Sequence, residues 1–134
     1  MVASRVGRQV HPQARGRGGL MKVTRSSEAP SYPAAKHHDV TAQRLQGFDV
    51  SDVSAFWVGL SKYAPGAFAE RDAGGTEKVY VVLEGELAVI TDAGEAVLGP
   101  LDSCYIAPGE ARAVENRSDA SASMLVLAQY PTAK

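Results

Sequence analysis

The chain has little of what would tie it to an oxidising compartment, a membrane or a nucleic acid. Its 134 residues hold one cysteine, Cys104, so an internal disulfide is excluded and we predict a cytoplasmic protein. No apolar run approaches the roughly 20 residues needed to span a bilayer. The net charge of -1 argues against nucleic acid as the main partner. A chain of this size buries about two thirds of its unfolded surface, so it needs neither a metal nor a disulfide to fold.

Basic residues are concentrated at the start of the chain. Residues 1–20 hold four arginines and no acidic residue, and they show almost no apolar periodicity. We interpret them as a disordered leader or an over-extended start, with Met21 as the natural first residue. A basic tail that binds an acidic surface is the alternative. Residues 21–48 are predicted to form an extended N-terminal arm, and residues 49–134 a single domain.

Short β-forming segments alternate with turn residues through the rest of the chain. The longest runs from Lys78 to Thr91, and Gly85 interrupts it where a barrel corner would bend. We expect a turn at Tyr63–Gly66 and a loop at Asp72–Gly75. The other predicted strands are Val40–Leu45, Phe56–Leu60, Glu95–Leu98, Ser103–Ala107, Ala111–Glu115 and Ser123–Tyr130. This pattern, without an amphipathic helix, predicts an all-β barrel or jelly roll.

A set of glycine, proline and asparagine positions carries a family resemblance. The segments that carry it are Pro65-Gly66, Lys78–Leu87, Gly99–Asp102, Pro108-Gly109 and Arg112–Asn116. With these residues the chain resembles the cupin superfamily of RmlC-like barrels. The resemblance implies an all-β double-stranded β-helix, the cupin jelly-roll barrel, with the arm lying against it or against a neighbouring subunit. It also implies a homodimer.

The positions that bind metal in many cupins are substituted here. Alignment on Gly85 and Asn116 places those positions at Asp72, Gly74, Lys78 and Arg112. Glycine offers no ligand, and the two cations repel a divalent ion. Asp72 alone can coordinate, with Glu77 as a weak reserve. The three histidines, His11, His37 and His38, lack ligand spacing relative to this frame. We therefore predict no metal and no other cofactor.

The same substitutions make the predicted pocket cationic. Lys78 and Arg112 indicate a site for a carboxylate, phosphate or enolate group of a small anionic molecule. Tyr80 shares the strand face of Lys78, and we expect Tyr80 or Asp72 to move protons. The alternative is structural: Lys78 reaches solvent at the rim, and Arg112 pairs with Asp72, Glu77 or Glu115. Covalent chemistry at a neutral Lys78 amine is a further alternative. The Cys104 thiol is expected to be buried and inert.

Three functions fit these residues. The first is a metal-independent isomerase, cyclase or lyase that acts on an anionic metabolite through Lys78, Arg112, Tyr80 and Asp72. The second is a non-catalytic module that binds an organic acid. The third is a metal-dependent dioxygenase with displaced ligands, such as Asp72, Glu77 and a histidine of the arm. One fold hosts many activities, so the resemblance alone does not choose among them.

Overall fold

The computed structural model describes residues 20–131, and this part of the chain is almost entirely β-structure. Besides a three-residue 3-10 helix at Ser26–Glu28, the strands are β1 His37–Gln46, β2 Trp57–Ala73, β3 Lys78–Glu84, β4 Leu87–Thr91, β5 Gly94–Leu98, β6 Ser103–Ile106, β7 Ala111–Glu115 and β8 Ala122–Ala128. They pair antiparallel in the order β5-β4-β7-β2-β8-β3-β6, and β1 is added on β2. The predicted all-β jelly-roll barrel is confirmed. No helix in this part of the chain is long and apolar enough to cross a membrane.

Strand β2 links the two halves of the barrel. Its first part, Trp57–Tyr63, pairs with β8, and its last part, from Phe68 onward, pairs with β7. The predicted turn at Tyr63–Gly66 is wrong, because the chain bends here without leaving the sheet. Gly66 adopts a φ of 81°, and its N–H donates to the carbonyl of Asn116 at 3.0 Å. Asp72 and Ala73 still belong to the strand, so the loop that follows begins later than predicted.

The C-terminal part of the predicted N-terminal arm lies along this long strand. β1 is longer than the short strand predicted near Val40–Leu45, and it pairs with β2 from His37 to Gln46. The division into an arm, 21–48, and a barrel, 49–134, stays a prediction. The leader or over-extended start predicted for residues 1–20 lies, apart from Leu20, outside the described residues.

The core lies between the two halves of the barrel and is built from alternate residues of its strands. The largest fully buried side chains are Tyr63, Leu87, Ile106, Met124, Val82, Val114 and Asn116. Asn116 is the polar one among them, and its side-chain amide donates to the carbonyls of Tyr63, Ala64 and Ala120 at 3.1, 3.2 and 2.8 Å. It thereby satisfies backbone acceptors that would otherwise be buried without a donor.

Candidate functional site

Two of the predicted site residues enter the barrel from β3. Lys78 lies opposite Ala128 and Ile106, and Tyr80 lies opposite Val126 and Cys104. Side chains directly opposite each other in a sheet share a face, and those of Ala128, Ile106 and Val126 are in the core. Lys78 and Tyr80 therefore point inward, as their alternation along the strand predicts.

A β-bulge brings Asp72 to the same face. On β2 the register passes from Ala69 to Asp72, while on β7 it passes only from Val114 to Arg112. The extra residue in β2 shifts the alternation by one. Asp72 consequently faces the same side as the buried Ala69, directly opposite Arg112. The structure thus brings Asp72, Lys78, Tyr80 and Arg112 to one end of the barrel interior.

Arg112 is held in place by hydrogen bonds rather than by a carboxylate. Its Nε donates to the Tyr80 hydroxyl at 2.7 Å, and its Nη1 donates to the Glu70 carbonyl at 3.0 Å. The carboxylates considered as alternative partners are engaged elsewhere. Asp72 pairs with Lys36 at 3.1 Å, Glu77 accepts from the Tyr105 hydroxyl at 2.9 Å, and Glu115 pairs with Arg117 at 2.8 Å. The charge of Arg112 is thus left to act on the barrel interior.

Burial and the Arg112 charge set the protonation of the neighbouring groups. Burial raises the pKa of Tyr80, and Arg112 opposes that rise. Burial, and then Arg112, lower the pKa of Lys78, while Asp72 opposes that shift. The hydrogen bond from Lys36 and its charge lower the pKa of Asp72. At neutral pH the site therefore holds a protonated phenol, an ionised carboxylate and a destabilised ammonium group.

His37 belongs to this site, although its spacing in the sequence gave no reason to include it. Its Nδ1 lies 2.7 Å from the Ala35 carbonyl. Since a carbonyl only accepts, Nδ1 carries the proton and Nε2 is the acceptor. Burial lowers the pKa of His37 and the charges of Arg112 and His38 lower it further, while the hydrogen bond to Ala35 and the charge of Asp72 oppose the shift. The ring centre lies 6.4 Å from that of Tyr63. The pairing of β1 with β2 produces this placement, and no local motif signals such long-range pairing.

Tyr63 contributes a buried hydroxyl to the same interior. The residue is 1% exposed, and within residues 20–131 its hydroxyl makes no hydrogen bond. Burial raises its pKa, with Tyr80 adding to the rise and Arg112 opposing it. A buried hydroxyl of this kind is usually satisfied by a water molecule or a ligand atom.

Cys104 lies opposite Tyr80, and burial raises the pKa of its thiol, which favours the unreactive protonated form.

The side chains at this end of the barrel do not match a metal-donor set. Of the four aligned positions only Asp72 supplies a donor atom, while Gly74 has no side chain and Lys78 and Arg112 are cations. Across residues 20–131, no three His, Cys, Asp or Glu side chains come together as a candidate metal site. Protein metal centres of the zinc or iron type take about three or more such donors, so the residues present do not fit one.

Known proteins resemble this chain over most of its length. The relative named beta-D-galactosidase Rv1717, from Mycobacterium tuberculosis, is 50% identical over 114 residues, which are 85% of this chain and 98% of that protein. The polyketide cyclase RemF of Streptomyces resistomycificus has a similar structure, with a TM-score of 0.74 and 18% identity over 82% of this chain and 80% of that one. A sugar phosphate isomerase of Silicibacter pomeroyi has a TM-score of 0.61 and 28% identity over 68% of this chain and 59% of that one.

The family model that describes the Cupin domain, Cupin_2, matches residues 59–128. That range begins within β2 and ends with β8, so it contains the bent strand, the bulge and the strands that carry Lys78, Tyr80 and Arg112. Together with the all-β barrel, this match confirms the predicted family, and the chain belongs to the cupin superfamily.

Proposed function

We propose that this protein hydrolyses a β-D-galactoside, or a closely similar sugar, at the end of the barrel that holds Tyr80 and Arg112. One observation carries the proposal: the likeness to the relative named beta-D-galactosidase, at 50% identity along 98% of its length. Likeness of this extent includes all the strands that supply the site residues. It favours a sugar substrate over the other small molecules that cupin barrels take.

Hydrolysis of a glycoside needs an acid that protonates the leaving oxygen. Tyr80 suits this role because its oxygen already accepts a hydrogen bond from Arg112 Nε at 2.7 Å. Its own proton is therefore directed to another acceptor, and burial keeps the phenol protonated by raising its pKa. When the bond between the anomeric carbon and the leaving oxygen breaks, the Tyr80 proton passes to that oxygen. Arg112 then stabilises the phenolate that is formed.

The reaction also needs a base that activates water. Asp72 lies opposite Arg112 and is ionised, since Lys36 lowers its pKa. His37 is neutral near pH 7 and has Nε2 as an acceptor. In the proposed reaction His37 Nε2 accepts the proton of the water molecule. The Asp72 carboxylate stabilises the positive charge that develops on the sugar ring. The hydroxyl of that water bonds to the anomeric carbon as the leaving group departs. Lys78 donates hydrogen bonds to the sugar.

The test is turnover by the purified full chain. We expect release of galactose from lactose and from methyl β-D-galactoside, measured with a coupled galactose assay. Tyr80→Phe removes the acid and should reduce kcat by about 100-fold or more. Lys62→Met, on the exposed face of β2, is the control and should leave kcat unchanged. Absence of turnover by the wild type on a panel of β-galactosides would overturn the proposal.

The cationic interior favours a second candidate. Lys78 and Arg112 both face the barrel interior, and neither is paired with a carboxylate among residues 20–131. Such a pair suits an anionic metabolite, held without turnover or converted by a metal-independent isomerase, cyclase or lyase. A thermal-shift screen of carboxylates and phosphates tests it. Stabilisation of the wild type that is lost in both Arg112→Ala and Lys78→Met supports this candidate, and unchanged responses in the two variants would exclude it.

A further inference from the structure

The inner face of the barrel carries another arginine, which neither the family frame nor the proposed reaction uses. Arg44 of β1 lies opposite Gly59 of β2, Gly59 lies opposite Val126 of β8, and Val126 lies opposite Tyr80 of β3. These four residues form one row across the sheet. Neighbouring strands are about 4.8 Å apart, so Arg44 and Tyr80 stand roughly 14 Å apart along the row. Gly59 and Val126 lie between them in the row.

Aromatic rings hold the Arg44 guanidinium in one place. Its Cζ lies 3.9 Å from the ring centre of Tyr32, 3.7 Å from that of Phe48 and 5.3 Å from that of Trp57. Rings interact with the face of a guanidinium group, whereas its N–H donors project from the edge. Within residues 20–131 the Arg44 side chain has neither a carboxylate partner nor a hydrogen bond. Its donors are thus fixed in position and left for an acceptor outside the protein.

Tyr32 extends this cluster toward the reaction site. Its ring meets that of Trp57 edge to face, with centres 6.1 Å apart. A Cβ on Gly59 would stand 2.9 Å from Trp57 Cζ3 and 3.2 Å from the Tyr32 hydroxyl, so both aromatic side chains use the space that this glycine leaves. This hydroxyl makes no hydrogen bond to any residue between 20 and 131. Tyr80 and Arg44 both influence its pKa, which burial raises. Since Gly59 stands between Arg44 and Tyr80 in the row, the Tyr32 hydroxyl lies between Arg44 and the reaction site.

We propose that Arg44 and Tyr32 form a second sugar-binding subsite, which holds the unit attached to the galactoside. This inference rests on the proposed function, since it assigns the leaving group of that reaction. The donors of Arg44 and the Tyr32 hydroxyl favour a unit rich in oxygen acceptors, such as a second sugar, over an alkyl group. The preferred substrate is accordingly a galactose-containing disaccharide or longer glycan.

Trp57 offers a readout that does not require turnover. It is the only tryptophan in the chain, and it contacts both members of the subsite. Titration of the wild-type protein with lactose should give a saturable change in tryptophan fluorescence. Methyl β-D-galactoside, which lacks the second sugar, should change the fluorescence much less. Equal responses to the two ligands, or no response to lactose, would overturn the subsite.

Substitutions separate the subsite from the reaction itself. Arg44→Met should raise KM for lactose about tenfold, which corresponds to about 1.4 kcal/mol, and should raise KM for methyl β-D-galactoside less than twofold. Arg44→Lys keeps the charge but loses the fork of donors, so it should also weaken lactose binding. Arg44→Lys is also the variant to test if Arg44→Met does not fold. Arg117→Lys, on the outer surface, is the control. Equal effects on both substrates would assign Arg44 a packing role only.

The outcomes distinguish this inference from the function on which it rests. If the wild type hydrolyses methyl β-D-galactoside and Arg44 variants treat both substrates alike, the subsite is wrong and the proposed function stands. Another outcome is that no galactoside is hydrolysed, while lactose changes Trp57 fluorescence in the wild type but not in Arg44→Met. The subsite then exists, but in a binding protein rather than an enzyme. If neither turnover nor the fluorescence change occurs, both proposals fail.

Discussion

At the scale of single residues, the site depends on one arginine that has no carboxylate partner in the described part of the chain, residues 20–131. Arg112 donates to a phenol and a carbonyl, so its positive charge is not neutralised by an ion pair. That charge reaches Tyr80, Lys78, Asp72 and His37, and it acts on the pKa of each. Alignment on the cupin frame located Lys78 and Asp72, and strand alternation from Lys78 located Tyr80. Both missed His37, because pairing of the arm with β2 is a long-range contact that no spacing in the sequence encodes.

The lowered pKa of His37 predicts the acid side of the pH–rate profile. The neutral imidazole accepts the proton, so the rate falls as the pH drops through the pKa of His37. Burial, Arg112 and His38 place that pKa below the ordinary value of 6.5, against the opposing effects of the Ala35 hydrogen bond and the Asp72 charge. The acid limb of kcat/KM should therefore lie below pH 6.5 and disappear in His37→Gln. Lys62→Met, on the exposed face of β2, is the control and should keep the limb; a limb that persists in His37→Gln would remove His37 from the mechanism.

Lys78 should reduce stability in its charged form. Its folded-state pKa is lowered by burial and by Arg112, so protonation is less favourable in the folded chain than in the unfolded one. Because the unfolded chain binds the Lys78 proton more tightly, the free energy of unfolding falls as the pH drops through the ordinary lysine range. This loss of stability is fully present at neutral pH. Lys78→Met should therefore raise Tm by a few degrees at pH 7, measured by calorimetry.

A control for Lys78→Met exists on the neighbouring strand. Lys62 lies on the exposed face of β2, and Lys62→Met should change stability by no more than about 0.5 kcal/mol. A lower Tm in Lys78→Met would mean that the lysine has a stabilising partner. A higher Tm combined with weaker ligand binding would be the usual exchange of stability for function.

At the scale of elements, the bend in β2 determines which strands meet. The first half of the strand pairs with β8 and the second half with β7, and Asn116 fixes the bend by donating to the carbonyls of Tyr63 and Ala64. Glycine and proline at Pro65-Gly66 predicted a change of direction, but not that the strand continues through it. Turn residues report local backbone geometry, whereas strand continuation depends on partners distant in the sequence.

Removal of the Asn116 side chain should loosen this bend. Asn116→Ala leaves buried carbonyls without donors, and each such group costs about 1–3 kcal/mol. We expect a loss of about 3 kcal/mol in the free energy of unfolding, measured by urea denaturation. Ser118→Ala removes only a hydroxyl that donates to the Asn116 side chain and accepts from the Ala120 N–H, and it should cost less than half as much. Equal losses would place the stabilising contact in the following turn.

At the scale of the whole molecule, two predictions concern what accompanies the chain. The first is metal content, which the donor set at the barrel end argues against. Protein purified without chelators should contain much less than one equivalent of iron, zinc, manganese or nickel by elemental analysis. Its Tm should be the same with and without EDTA. A stoichiometric metal that EDTA removes with loss of stability would identify ligands beyond the aligned positions.

The second prediction is a homodimer, proposed from the outer surface of the sheet. A mainly apolar groove of about 350 Å³ lies on β3, β6 and β8, lined by residues that include Phe56, Val79, Tyr105 and Leu127. Phe56 and Tyr105 are 43% and 57% exposed, and exposed apolar patches often mark interfaces. We expect a dimer by light scattering, converted to a monomer by Phe56→Asp. Val97→Asp, at an exposed position of β5, should remain dimeric; a monomeric wild type would contradict the proposal.

The bulge between Ala69 and Asp72 makes the register of β2 a chemical variable. If β2 paired regularly with β7 beyond Ala69, Arg71 would lie opposite Arg112 and Asp72 would turn outward. The reaction site would then lose its carboxylate without any change in the identity of a site residue. Loss of a bulge at this point is therefore a route by which related barrels can diverge in chemistry while every site residue is kept.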